Sequence, residues 1–180
     1  ESRLAGTDRE SMKTTALLFG LDLDYVSLTL PRIPCAEEAE KITALAELCS
    51  ENFADYNAER MARLIKKRMS SGEIFVIEHK NNIAGFIMFS KKNKTIDHIA
   101  VSPDYRRIGI ASRLMVTAMA QFEVGEELSA VTFRQEHPMS DGVSRMYKKF
   151  GFDDEKNIVV RGEPLVKRTA VVPEKAIITE

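Results

Sequence analysis

Residues 99–114, Ile-Ala-Val-Ser-Pro-Asp-Tyr-Arg-Arg-Ile-Gly-Ile-Ala-Ser-Arg-Leu, constrain the fold of this chain more than any other stretch. An apolar strand ends at Val101, a polar turn carries Arg106 and Arg107, and Gly109 and Ala111 open a periodic helix. Such a turn turns unpaired backbone N–H groups outward at the positive end of a helix, where a phosphate or diphosphate is held. Gly109 lets backbone approach a ligand and permits dihedrals other residues avoid. The two arginines add fork-shaped cationic donors that suit phosphate oxygens.

Hydrophobic periodicity arranges the rest of the chain around this unit. Tyr25 to Leu30 alternates as a first strand, stopped by Pro31 and Pro34. Ile42, Leu45, Ala46, Cys49 and Phe53 recur at helical spacing and predict a helix over 37–53 with an acidic first turn. A second amphipathic helix runs from Ala58 to Met69 and stops at Gly72. Strands follow at 74–79 and 83–90, joined by Asn81-Asn82, residues tolerant of left-handed turn dihedrals. A turn at Lys92-Asn93 leads to a third strand at 95–101. Beyond the turn, Ala111, Leu114, Met115, Ala118, Met119 and Phe122 form a buried stripe. A strand at 128–133, a short helix at 143–150 and strands at 157–160 and 166–172 complete the order. Residues 1–24 read as an extension before a single domain over 25–180. The expected architecture is α+β: a mixed, mostly antiparallel central sheet of about six to seven strands with helices on both faces.

Charge and cysteine content narrow the function classes. Net charge is −1 over 180 residues, so no global field draws the chain to nucleic acid or anionic membrane. The clusters Lys66-Lys67-Arg68 and Lys91-Lys92-Asn93-Lys94 read as solvated faces, and neither interleaves aromatics for nucleic-acid stacking. Two cysteines make no secreted disulfide scaffold, and no Cys/His metal spacing occurs. No apolar run reaches membrane-spanning length, so a cytoplasmic address is the expectation.

Arg106-Arg107-Ile108-Gly109-Ile110-Ala111 resembles the Gln/Arg-x-x-Gly-x-Gly/Ala diphosphate loop of the GNAT superfamily of N-acetyltransferases. Val101-x-Pro103 precedes it as in many members, and Met146-Tyr147-Lys148-Lys149-Phe150-Gly151-Phe152 resembles the later Leu-Tyr-x-x-x-Gly-Phe element. The resemblance implies a GNAT fold whose acetyl-CoA lies in a cleft between two parting strands, with no metal. It implies an acetyltransferase that moves acetyl from acetyl-CoA to a primary amine, on a small molecule or a protein, by direct transfer in a ternary complex. The implied cofactor contacts are the strand residues Ile99, Ala100 and Val101 and the turn residues Arg106, Arg107, Ile108, Gly109, Ile110, Ala111 and Ser112. Tyr147 and Ser140 complete that set. Many members carry Asn where counting back from Tyr147 gives Ser140, whose reach is shorter. Monomer and homodimer both fit.

The chemistry selects among these residues. An alkylamine has a pKa near ~10, so it must lose a proton before it attacks a thioester. Family members take the base from the strand before the loop, which here offers Thr95, Asp97 and His98. Alternation places Thr95 and Asp97 on one face and His98 on the other unless a bulge re-aims it. Asp97 is the favoured base, with His98 in reserve; each also reads as an ordinary structural residue. Tyr147 matches the tyrosine that protonates the departing thiolate, and a phenol of pKa near ~10 suits that task. The amide near Val101, where the family has a bulge, is the expected oxyanion donor. Cys49 reads as core. Cys35, before a helix start, leaves a minor acyl-cysteine route open. His137, in the Arg134–Pro138 stretch, reads as a loop residue. The alternative to an enzyme is a module of the same fold that binds CoA without turnover.

Overall fold

The computed structural model of the protein describes residues 30–53, 56–79, 81–134 and 140–174. The expected extension at 1–24, most of the expected strand at 25–30 and the segment 135–139 lie outside the described residues. Among the described residues six strands form one sheet: β1 (Ile74–His79), β2 (Asn82–Ser90), β3 (Thr95–Val101), β4 (Glu127–Phe133), β5 (Asp154–Val160) and β6 (Glu163–Val171). Their order across the sheet is β1-β2-β3-β4-β6-β5. Just before the first helix, Arg32 adds an antiparallel bridge to Val76.

Among the described residues four α-helices cover the sheet: α1 (Ala39–Leu48), α2 (Ala58–Ser71), α3 (Ile110–Met119) and α4 (Ser140–Lys149). On one face α1 and α2 bury Ile42, Leu45, Met61 and Ile65 against Val76, Phe86, Met88 and Ala100. On the other, α3 buries Ile110, Leu114, Met115 and Ala118 against Ile77, Ile87, Phe89 and Ile96, joined by Tyr147, Phe150 and Phe152. Strand β2 lies between the two layers and is buried without interruption from Ala84 to Ser90, as a strand covered on both faces must be. Gly85 is required there: a Cβ would stand 2.8 Å from the Ile110 side chain and 2.9 Å from the Ala100 carbonyl oxygen. Its missing side chain lets the first turn of α3 settle onto the sheet.

The expected helix at 37–53 is three pieces. A 3-10 turn (Ala36–Glu38) precedes α1, and another (Ser50–Asn52) follows it. The first break is held by Glu38, whose carboxylate accepts from the Cys35 amide and from both ends of the Arg32 fork. Helix α2 starts on Asn57, whose side chain accepts from the Arg60 amide, and ends at Gly72 with φ +67°, the stop its sequence predicts. In α3, Ala111 is only half-buried, and the buried face instead takes in Ile110, Val116 and Thr117. Strands β5 and β6 each begin three residues earlier than alternation predicts, because Arg161 (φ +51°) and Gly162 (φ +86°) form a tight two-residue hairpin. Among the described residues no helix is long and apolar enough to cross a membrane.

Candidate active site

Among the described residues strands β3 and β4 are the only parallel neighbours in the sheet, and they pair at just two positions, Thr95↔Ser129 and Ile96↔Ala130. Beyond Ile96 they part. The parting begins at a bulge: Phe89 pairs with Ile96 and Met88 with His98, so Asp97 is an extra residue on β3. An extra residue bends its strand and sharpens the twist, which carries β3 away from β4. From Asp97 to Val101 one edge of β3 has no strand beside it among the described residues. The result is a cleft of about 800 Å³, bounded by β3, β4, the start of α3, α4, the α1–α2 connection and the β5–β6 turn.

At one end of the cleft the chain leaves Val101, makes a 3-10 turn (Pro103–Tyr105) and enters α3. Arg107 (φ +69°) and Gly109 (φ +87°) both adopt left-handed backbone, and Gly109 caps the helix without any side-chain bond. A Cβ on Gly109 would meet nothing within 4 Å, so the cradle opens on the cleft rather than on protein. The first amides of α3 have no acceptor within their own helix and lie at its positive end. Arg107, Gly109, Ile110, Ala111 and Ser112 line this end together, whereas Ile108 of the same turn lies outside the lining. Arg107 is exposed. Arg106 is turned back: its Nε donates to the Val101 carbonyl at 3.2 Å, and the Cys49 thiol donates to the same oxygen at 3.6 Å. Arg106 thus frames the turn from below, and its Nη2 is sealed from solvent without a hydrogen-bond partner. Burial pushes the Cys49 thiol up, against the opposing charge of Arg106, in keeping with a core residue.

At the centre of the cleft the bulge realises the exception that strand alternation left open for His98. The bulge shifts the alternation by one, so Asp97 and His98 both face the α1–α2 layer, Asp97 on Arg68 and His98 on Phe53. Arg68 places Nε at 2.8 Å and Nη2 at 2.7 Å from Oδ2 of Asp97, and Thr95 donates to Oδ1 at 2.7 Å. The remaining arm of Arg68 holds Glu73 at 2.6 Å. Both oxygens of Asp97 are therefore engaged, which counts against it as a proton acceptor. Arg68, expected on a solvated face, is 6% exposed. Its position in line with Met61 and Ile65 on α2 was the available sign of burial.

His98 stands edge-on to Phe53 with ring centroids 5.1 Å apart, and its Nδ1 is enclosed without a partner. Burial holds the imidazole below the ordinary histidine range, with Asp97 opposing and Arg68 adding to that effect. Tyr147 projects from α4 into the same cleft, 4% exposed, its ring edge-on to Phe152. Burial, and then the charge of Asp97, raise the phenol above its usual range, while Arg168 acts in the opposite sense. Ile99, Ala100 and Val101 line the cleft along β3. The bulge falls at Asp97, not at Val101, which pairs in regular register with Gly85. Since the Ser102 amide donates to Ala84 of β2, alternation sends the Ile99 and Val101 amides to the open edge. Ser140 begins α4, but its side chain lies outside the described residues, as does His137. Cys35 is exposed, and Glu38 beside it raises its thiol, so the thiolate that an acyl-cysteine route needs is disfavoured.

Comparison with known proteins agrees with this geometry. The family model described as the acetyltransferase (GNAT) domain matches residues 70–154. No curated protein sequence matches the chain. Among solved structures, a GNAT-family acetyltransferase from Bacillus cereus superposes with a TM-score of 0.62 at 17% identity, covering 78% of this chain and 95% of that one. A ribosomal-protein-alanine N-acetyltransferase from Brucella melitensis gives 0.60 at 16% identity, over 79% and 99% of the two chains. The yncA protein of Salmonella typhimurium, solved with its cofactor acetyl-CoA, gives 0.59 at 14% identity, over 86% and 99%. The likeness first carried by six residues of a turn thus extends over residues 70–154, which match the GNAT acetyltransferase domain, and the fold as a whole is similar to those of solved GNAT-family structures.

Proposed function

We propose that the protein is an acetyl-CoA-dependent N-acetyltransferase that transfers acetyl directly to a primary amine in a ternary complex. One observation carries the reading: the bulge at Asp97 joins an open strand edge to a left-handed turn and helix start, all in one cleft with His98 and Tyr147. The diphosphate of acetyl-CoA is held by the amides of residues 107–112 and the Arg107 side chain, with Arg106 keeping the turn in shape. The pantetheine arm lies along the open edge of β3, where the Ile99 and Val101 amides meet its amide-like groups and polarise the thioester carbonyl.

His98 takes the role of base. Its imidazole is neutral at pH 7 because its pKa is lowered, and its Nδ1 has no competing partner. Asp97, locked by Arg68 and Thr95, fixes the bulge that presents His98. As the tetrahedral intermediate collapses, the C–S bond breaks, the electron pair goes to sulfur, and Tyr147 supplies its proton. A phenol raised by burial remains protonated across the physiological range, as an acid must.

The test is a mass-spectrometric screen of amines with acetyl-CoA, run beside calorimetry with CoA. Acetylated product from the wild-type chain, with kcat lowered about 100-fold and KM for acetyl-CoA within about twofold in Tyr147→Phe, is the expected result. Unchanged kcat removes Tyr147 from the mechanism. CoA binding without turnover on any amine would instead establish a catalytically silent CoA module.

A further inference from the structure

Arg168 lies in the middle of β6, opposite Ala130 of β4 and Glu155 of β5, and is 4% exposed. Its neighbours at alternate positions, Val166 and Ala170, are buried core residues, so a cation replaces the apolar side chain this face would otherwise carry. Every arm of its guanidinium is engaged. Nε donates to Thr132 Oγ1 at 2.9 Å, Nη2 to Ser144 Oγ at 3.1 Å, and Nη1 to the Glu155 carboxylate. Three strands and helix α4 meet on this one group. A buried cation seldom stabilises a fold more than an apolar residue of the same size, and its carboxylate partner Glu155 is 39% exposed, so stability alone does not account for it.

Ser144 sits three residues before Tyr147 on α4, on the same side of the helix. We propose that Arg168 is a positioning residue for Tyr147: by holding α4 at Ser144 it fixes where the phenol hydroxyl stands, and it supplies the positive field in which that hydroxyl releases its proton. The proposal rests on the reading of Tyr147 as the acid. When the proton passes to the departing sulfur, Tyr147 is left as a phenolate on a largely buried ring, with Asp97 already negative nearby. Arg168 is the buried cation that meets this new charge. The amine attacks as the neutral base, its ammonium proton already lost to bulk water; His98 takes the proton that nitrogen sheds after attack, and its imidazolium returns that proton to the phenolate through water in the open cleft, so the cycle balances.

The experiment measures kcat, KM and the solvent deuterium isotope effect for Arg168→Gln, Arg168→Lys and Glu155→Gln, with Arg168→Gln repeated in Tyr147→Phe. Arg168→Gln is expected to lower kcat about tenfold and raise the isotope effect, with KM for acetyl-CoA unchanged. Arg168→Lys, which keeps the charge, recovers part of the loss. Glu155→Gln leaves kcat unchanged or higher, because Arg168 then acts unopposed, and this variant decides the matter if Arg168→Gln does not fold. In Tyr147→Phe the Arg168 substitution costs nothing further. An equal loss of kcat in that background overturns the proposal, as does a Glu155→Gln loss as large as that of Arg168→Gln. Tyr147→Phe with full activity overturns the acid itself, whereas a crippled Tyr147→Phe beside a fully active Arg168→Gln overturns only the role of Arg168.

Discussion

The two ends of the cleft are built in opposite ways. The end proposed for the diphosphate is one continuous stretch, Val101 to Ser112, whose shape comes from backbone: two left-handed residues, a helix start and a turn framed by its own Arg106. The end proposed to handle protons is assembled from five places in the chain, with Phe53, Arg68, His98, Tyr147 and Arg168 meeting only in the fold. The first end depends on local dihedrals and tolerates change elsewhere. The second depends on buried charges that hold one another, so a single deletion is felt both in stability and in chemistry.

The largest effect expected from this contrast is at Arg68. Arg68→Ala leaves Asp97 and Glu73 without their shared cation, at side-chain exposures of 14% and 12%. Breaking a buried pair in this way costs about 3–5 kcal/mol, read as a lower urea midpoint at unchanged slope. CoA affinity measured below the transition should stay within a few-fold, since the diphosphate turn is built separately. A large loss of CoA affinity would show that the two ends are one unit. Next is Gly109→Glu, which puts a carboxylate where the turn receives the diphosphate and an L side chain at φ +87°. Its CoA dissociation constant should rise about 100-fold, some 2.7 kcal/mol, with a much smaller change in Tm. Retained affinity would undo the phosphate assignment.

The smallest effect is at His98. As a base it acts only when neutral, so kcat/KM should fall as pH drops through a pKa below the ordinary histidine value, and be flat above it. His98→Gln should lower kcat/KM about tenfold at pH 7.5 and abolish that acid limb. An acid limb that survives the substitution assigns the proton acceptor elsewhere.

The same contrast governs what the sequence made legible. Helical stripes, the Asn81 turn, Gly72 as a stop and the 99–114 unit are all readable, because each signal lies within one turn of the residues it organises. The ion pairs are not. Arg68 is 29 positions from Asp97 and Arg168 is 36 from Thr132, and no local pattern reports such a pairing. Their trace was still present as charged residues at buried positions, in line with Met61 and Ile65 on α2 and between Val166 and Ala170 on β6. The position of the bulge, at Asp97 rather than Val101, escaped for another reason. One extra residue in a seven-residue strand leaves composition and length unchanged, yet it places Asp97 and His98 on one side.

The two-residue seam between β3 and β4 also has a thermodynamic consequence. Two half-sheets, one three strands wide on each side, are stitched across the middle by so little that a molecule threaded through the gap would complete the weave itself. Folding and cosubstrate supply would then be coupled: at a hundred times its dissociation constant, a ligand adds about 2.7 kcal/mol to the free energy of unfolding. Resistance to heat and proteolysis would accordingly rise and fall with the thioester pool around the protein.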